Sequence, residues 1–340
     1  MIRRVNVFAP TLKMNSNPTP NDDAALICGS LAYDTIMGFP DRFKTHILPD
    51  QIHILNVCFL VPELRREFGG CAGNIAYNLR LLGSRGIPMA TVGQDFAPYA
   101  EWLATCGVAR DHVKVIDDAH TAQAFITTDL DNNQITAFHP GAMQHSHTNS
   151  VADVKNARVT IGIVAPDGRQ GMLDHARQFA AAGIPFIFDP GQGLPMFDGV
   201  ELDAFIDLAT WVAVNDYEFQ MLQQKTGRSA HELAARVEAL IITRGGEGSM
   251  IHAGGGIFEI PPARPHAIVD PTGCGDAYRA GLLHGLLRGL DWELTGRIAS
   301  LIGAIKIESR GTQNHRFTRA DFEERFAENF GVSIEPAFIA

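Results

Sequence analysis

No C-x-x-C pair occurs in the 340 residues, and the five cysteines, Cys28, Cys58, Cys71, Cys106 and Cys274, are odd in number and far apart. That spacing indicates neither a zinc site nor a disulfide framework, and the thiols are expected to be reduced, packed residues. No run approaches the roughly 18 consecutive apolar residues of a membrane span. The N-terminus lacks the charged, apolar, small-residue order of a secretory signal, so a cytoplasmic chain is expected. Lys and Arg total 28 against 38 Asp and Glu, a formal net charge of −10. No basic cluster stands out, which argues against general nucleic-acid binding. A small anion held by backbone amides stays compatible with this charge. The P-loop pattern G-x-x-x-x-G-K-[ST] is missing, and "CGSLAYD" has too few glycines for a dinucleotide turn. His145 and His147 have no carboxylate or Cys partner arranged for a metal and read as a solvated loop.

What is present is a 46% hydrophobic composition, enough for a large core. Residues 1–24 mix Asn, Pro, Ser and Thr without periodicity and read as a flexible extension. A single domain is expected over 25–330, with 331–340 as a tail. Short apolar runs then alternate with helical patterns: "ALICGS" at Ala25, "MATVG" at Met89, "VTIGIVAP" at Val159, "PFIFDP" at Pro185, "WVAVND" at Trp211 and "ALIITRG" at Ala239. Such alternation predicts an α/β fold, a mostly parallel sheet with helices on both faces. Two regions, about 31–68 and 120–140, break the rhythm. The second, "AQAFITTDLDNNQITAF", reads as a hairpin turning at Asp131 to Asn133. A small antiparallel sheet accounts for both regions, and could serve as a lid or as a dimerisation surface.

Two glycine-rich segments open helices. After "GGCAGN", Ile75, Ala76, Leu79 and Leu82 form an apolar stripe ending at Gly83; after Asp276, Ala280, Leu283, Leu286 and Leu287 do the same, ending at Gly289. A helix N-terminus offers unpaired amides and the positive end of the macrodipole, so Gly273, Cys274 and Gly275 are placed to receive a phosphate. Asp276 would repel an anion bound there unless it takes the proton of an attacking hydroxyl. A capping role for Asp276 accounts equally well for the pattern.

The segment "DPTGCGDAYRAG" resembles the C-terminal signature of the ribokinase (PfkB) family of carbohydrate and nucleoside kinases, D-[TP]-x-G-A-G-D, with Cys274 in place of the usual Ala. The resemblance implies a ribokinase-like fold, Asp276 as catalytic base and the Gly273 to Gly275 amides as the anion hole. "GGCAGNIAYNLRLLG" is similar to the N-terminal signature and implies substrate contacts at Gly70 and Asn74, though a tight turn and a helix start explain these residues too. Asp34 matches the early Asp that holds two ribose hydroxyls. "NDYE" supplies Asn215 and Glu218, which the family uses to organise Mg²⁺, mostly through water; a solvated helix start is the plainer reading. "TRGGEG" supplies Thr243, Gly245, Gly246 and Gly248, similar to the nucleotide loop, with Thr272 as a further contact.

These five segments stand in the family's order from Asp34 to Asp276. Together they imply ATP and Mg²⁺ as cofactors and leave open whether a monovalent cation assists. Monomer and homodimer are both compatible. Among members, the chain looks most like adenosine and broad-specificity purine nucleoside kinases of bacteria, which implies phosphorylation of a nucleoside 5′-hydroxyl. A sugar kinase and a catalytically silent ligand-binding relative are the alternatives. A purine needs an apolar slot, for which Phe138 and Phe68 are candidates, with a core packing role as the alternative for each. One departure concerns the turn Asp131, Asn132, Asn133, Gln134: some adenosine kinases carry near it an Arg that approaches the phosphates. The phosphate charge must then be met elsewhere, or the lid closes differently. Cys274 in the anion hole also suggests that thiol oxidation impairs activity.

Overall fold

Apolar runs bounded by helical stretches have few ways to bury both of their faces. The computed structural model describes residues 23–47, 56–131 and 133–334. Strand β1 (Asp23–Cys28) is followed by β2 (Ala32–Gly38), β3 (Glu63–Gly69), helix α1 (Cys71–Leu81), β4 (Arg85–Gly93), α2 (Ala97–Thr105) and β5 (Val113–Ile116). Next come β6 (Ala122–Thr128), β7 (Gln134–His139), β8 (Arg158–Val164), α3 (Arg169–Ala182), β9 (Phe186–Phe188), α4 (Gly199–Leu208) and β10 (Trp211–Asn215). The chain continues through α5 (Asp216–Thr226), α6 (Ala230–Ala234), β11 (Ala239–Thr243), β12 (Ser249–Ala253) and β13 (Gly256–Ile260). It ends with α7 (Cys274–Leu287), α8 (Trp292–Ile307) and α9 (Arg319–Phe330).

Among the described residues nine strands form the main sheet in the order β13-β12-β11-β10-β9-β8-β1-β4-β5. Its pairings are parallel from β11 to β5, while β12 and β13 close one edge as an antiparallel hairpin. Alternate side chains of one strand enter different cores, as a sheet covered on both faces requires. Ala25 and Ile27 of β1 pack with α1, α7 and α8, whereas Ala24, Leu26 and Cys28 pack with α3 and α4. Among the described residues no helix is long and apolar enough to cross a membrane.

The second sheet runs β3-β2-β6-β7. Its outer pairs are antiparallel, and β2 and β6 are parallel at its centre. Both central strands leave the same edge of the main sheet in the same direction, and this fixes their sense. The hairpin turn is built by Asp129, whose carboxylate accepts the amides of Asp131 at 2.9 Å and Asn133 at 2.8 Å.

Some expected boundaries move. The extension expected over 1–24 ends earlier, because β1 begins at Asp23, and residues 1–22 lie outside the described residues, as do 48–55 of the 31–68 region, Asn132 of the turn and 335–340 of the tail. Residues 331–334 are not a free tail. Gly331, in the left-handed region, turns the chain so that Ile334 is buried in the cluster with Phe322 and Phe326.

Candidate active site

Parallel strands carry their functional residues at their carboxyl ends. Asn215 ends β10 directly opposite Thr243 at the end of β11, so the N-x-x-E and T-x-G segments are neighbours across one ladder. Beyond Thr243, Gly245 and Gly248 hold φ values of 54° and 83° around a short 3-10 turn. Added Cβ atoms on Gly245 and Gly246 would meet nothing within 4 Å, which leaves this loop an open backbone surface.

Helix α7 is capped by Gly273 in the left-handed region, without a side-chain cap. Asp276 therefore does not serve as the cap. Its Oδ2 instead accepts from Nδ2 of Asn74 at 2.7 Å, joining residues 202 apart in sequence. Of the expected anion-hole amides, that of Cys274 donates to the Pro271 carbonyl at 3.2 Å. Those of Gly273, Gly275 and Asp276 have no hydrogen-bond partner among the described residues, so two of the three expected donors are open and the Asp276 amide adds a third. Thr272, exposed beside them, gives its amide to Asp270 Oδ1 at 3.0 Å.

Withdrawal from water is the main reason that the Asp276 carboxyl is pushed up to about 7. The Asn74 hydrogen bond opposes that rise, Asp189 adds to it, and Arg279 and Cys71 oppose it. Asn74 is itself held, its Oδ1 accepting from Gln313 Nε2 at 2.9 Å. Gln313 also donates to Tyr99 Oη at 2.6 Å and accepts from Trp102 Nε1 at 2.9 Å. This buried chain of bonds fixes the side chain that orients Asp276.

Asp34 sits on β2 facing Gly69, where an added Cβ would lie 2.5 Å from Asp34 Oδ2. Next to it Gly70 adopts φ 86°, and a side chain there would strike the Ala32 amide and the Ser30 carbonyl, each at 2.6 Å. Burial, then Asp270 and Glu67, push the Asp34 carboxyl up to about 6. The small sheet's register aligns Glu67, Asp34, Ala124 and Phe138 in one cross-strand row, hence on one face. Phe138 is 52% exposed on that face, free to meet a ligand. Phe68 is on the opposite face, stacked on Tyr99 at 4.7 Å and Trp102 at 5.7 Å, and is a packing residue.

Asn215 and Glu218 form a capping box on α5: Asn215 Oδ1 accepts the Glu218 amide at 2.7 Å, and Glu218 Oε2 accepts the Asn215 amide at 2.8 Å. Burial and Asp189 raise the Glu218 carboxyl. The pair is linked to α7 by Arg279, which is buried and was not singled out by its sequence. Arg279 donates to both oxygens of Asp189 at 3.1 Å and to the Ala213 carbonyl at 3.3 Å, and lies 3.9 Å from Glu218 Oε2. The signal that could have found it is its spacing, three residues after Asp276 on one helix face.

Two further cations were missed. Arg65 shares the sheet face of Asp34 and Glu67 and comes within 3.7 Å of Asp270. Lys306 is fully buried behind the same loop. Arg42, from the segment after β2, reaches the lid turn, where its Nε donates to Asp131 Oδ1 at 2.8 Å. His145 and His147 lie in a 3-10 segment with rings 6.3 Å apart, and among the described residues no three His, Cys, Asp or Glu side chains gather as metal ligands.

Open helix amides beside a carboxyl held near neutrality, at the carboxyl edge of a parallel sheet and under a second small sheet, define a phosphotransferase acting on an alcohol group. The chain belongs to the pfkB family of carbohydrate kinases, which it matches over residues 46–318. A nucleoside kinase of Burkholderia thailandensis, solved with inosine, is 53% identical with a TM-score of 0.83, covering 91% of this chain and 99% of its own. The same enzyme with ADP-inosine gives 54%, 0.82, 92% and 97%. A nucleoside kinase of Methanocaldococcus jannaschii is 31% identical over 263 residues, 76% of this chain and 85% of its own length.

Proposed function

We propose that the protein transfers the γ-phosphoryl group of ATP to the 5′-hydroxyl of a purine nucleoside in the cytoplasm. The observation that carries this reading is the Asn74 to Asp276 hydrogen bond at the mouth of the open α7 amides. It joins a group suited to a sugar hydroxyl to a base beside the phosphate donors. The nucleoside kinases above, one of them solved with inosine, support a nucleoside over a free sugar.

Asp34, once ionised, accepts two ribose hydroxyls, and Gly70 and Asn74 bring the 5′ end toward Asp276. A carboxyl that titrates near 7 is a competent base at neutral pH, whereas one at its ordinary value is far weaker. The Gly273, Gly275 and Asp276 amides and the helix dipole receive the transferred group, with Cys274 shaping the turn. Thr243, Gly245, Gly246, Gly248 and Thr272 border the nucleotide. The second sheet closes as a lid over the nucleoside, bringing Phe138 to the base and Arg65 to the phosphates, and excludes water. Arg65 thereby supplies charge that Arg42, engaged by Asp131 at the lid turn, does not bring to the phosphates.

The donor set at Asn215 and Glu218 fits Mg²⁺ held through water, since Glu218 Oε1 is uncommitted among the described residues while Oε2 takes the Asn215 amide, and Asn215 Oδ1, which accepts the Glu218 amide, keeps a second lone pair. Asn215 and Glu218 would hold the ion through water, Arg279 lies 3.9 Å from Glu218 Oε2, and the bound ion would supply charge neutralisation at the phosphates. The test is ADP release with ATP and a panel of inosine, adenosine, guanosine, ribose and fructose. Turnover with nucleosides is expected. Turnover with sugars alone would make the protein a sugar kinase, and none with any substrate would make it a silent relative.

A further inference from the structure

A fully buried lysine is costly, because its ammonium loses hydration unless oxygen atoms replace the water. Lys306 is such a residue, and it stands on α8 one turn beyond Gly303. Gly303 lies against the start of α7, where an added Cβ would be in ordinary contact, 3.6 Å from the Cys274 carbonyl oxygen. From there Nζ donates to the backbone carbonyls of Asp270 at 2.7 Å and Ser309 at 3.3 Å. These belong to the two segments that flank the first turn of α7. The segments are also laced directly, the Val269 and Asp270 amides donating to the Ile307 carbonyl at 2.9 and 3.0 Å. The Gly311 amide donates to Asp270 Oδ2 at 3.0 Å. Burial lowers the Lys306 ammonium from its ordinary value; Asp270, the Cys274 thiol and Asp276 oppose that, Arg65 adds to it, and His315 also faces this charge.

One positive charge held by carbonyl oxygens in place of its hydration shell is also what a K⁺ or Na⁺ site consists of. We propose that the Lys306 ammonium is a built-in monovalent cation, tying Asp270 to the segment after α8 and placing fixed charge behind the α7 amides, so that nucleotide binding and turnover need no free K⁺ or Na⁺. A free ion does not fit at these carbonyls, since both are taken and it would stand beside the ammonium. The inference rests on the nucleoside-kinase reading for its turnover arm alone.

Two readouts test it: ADP affinity by calorimetry, and ADP release with inosine and ATP, each in potassium, sodium and tetramethylammonium salts of equal ionic strength. For the parent, both are expected to agree within about twofold across the salts. Lys306→Met keeps the chain length and removes the charge. It is expected to bind ADP about tenfold or more weakly in tetramethylammonium, with inosine affinity within about threefold of the parent as the sign of an intact fold. Lys306→Ala opens room for a small cation, and methylammonium is expected to restore part of its loss. Parent ADP affinity that rises about tenfold in potassium would overturn the proposal, as would Lys306→Met with parental affinity. The parent's salt comparison decides the matter even if both variants fail to fold. A parent that binds ADP alike in all salts yet phosphorylates no nucleoside supports the built-in cation and removes the nucleoside-kinase reading.

Discussion

Asn74→Ala removes the hydrogen bond that most favours the ionised form of Asp276. In the parent that carboxyl titrates at about 7, so about half of it is ionised at neutral pH, and kcat should rise with pH through that value. The lost bond is 2.7 Å long and made to a charged acceptor, a class worth roughly 1.5–3 kcal/mol. At about 1.4 kcal/mol per pH unit, the midpoint moves up by roughly one to two units. At pH 7 only about a tenth to a hundredth of the base would then be ionised, so kcat falls about 5- to 50-fold and recovers as the pH is raised. The assay is kcat for inosine phosphorylation from pH 5.5 to 9.5 at saturating ATP and nucleoside, which separates ionisation from weakened binding. A parent profile flat below pH 7, or a variant uniformly slow with an unmoved midpoint, would refute the reasoning.

Asp276 also makes stability depend on pH. Its folded value of about 7 lies above the ordinary 3.8, so its contribution is fully present below 3.8 and is lost as pH rises through 7. Asp276→Asn should therefore gain stability over the parent between pH 4 and pH 8.5, by at most roughly 4 kcal/mol, in urea unfolding at both ends. Glu67→Gln removes a negative neighbour of Asp34, and the acid limb of nucleoside affinity in a direct binding assay, expected near 6, should move to lower pH; a limb that stays or rises counts against Asp34. Arg279→Met leaves Asp189 buried without its partner and should cost about 3–5 kcal/mol in the same unfolding assay, with Asp189→Asn/Arg279→Met costing less. Burial pushes the Cys274 thiol up to about 11, with Asp270 and Asp276 adding and Lys306 opposing, so at pH 7.5 a thiol reagent should label exposed Cys58 well before Cys274. Rapid labelling of Cys274 would restore the expectation of an oxidation-sensitive site.

The main sheet was legible because each parallel strand is a short apolar run with a turn or cap at its end, and the functional segments fall at those ends. Asp276, Asn74, Asn215 and Thr243 carried local signatures and could be named from them. The residues that hold them could not. Gln313 meets Asn74 across 239 residues, and no local pattern marks that meeting. Arg65 and Phe138 depend on strand register, since a slip of one residue would turn either to the other face. Phe68 illustrates the same point: it lies next to Gly69, yet its face is the aromatic core. Lys306 did leave a trace, a lone charge in "LIGAIKI", where a helix otherwise buried all round must find it oxygen partners.

Asp276 as the base for nucleoside phosphorylation is the claim on which the rest depends. Its most direct test is the formation of nucleoside 5′-phosphate and ADP from inosine and ATP by the parent and by Asp276→Asn, with inosine affinity measured alongside. The parent is expected to form both products in equal amounts, and the variant to lose several orders of magnitude in kcat with inosine affinity largely kept. Near-parental turnover by Asp276→Asn would contradict the account.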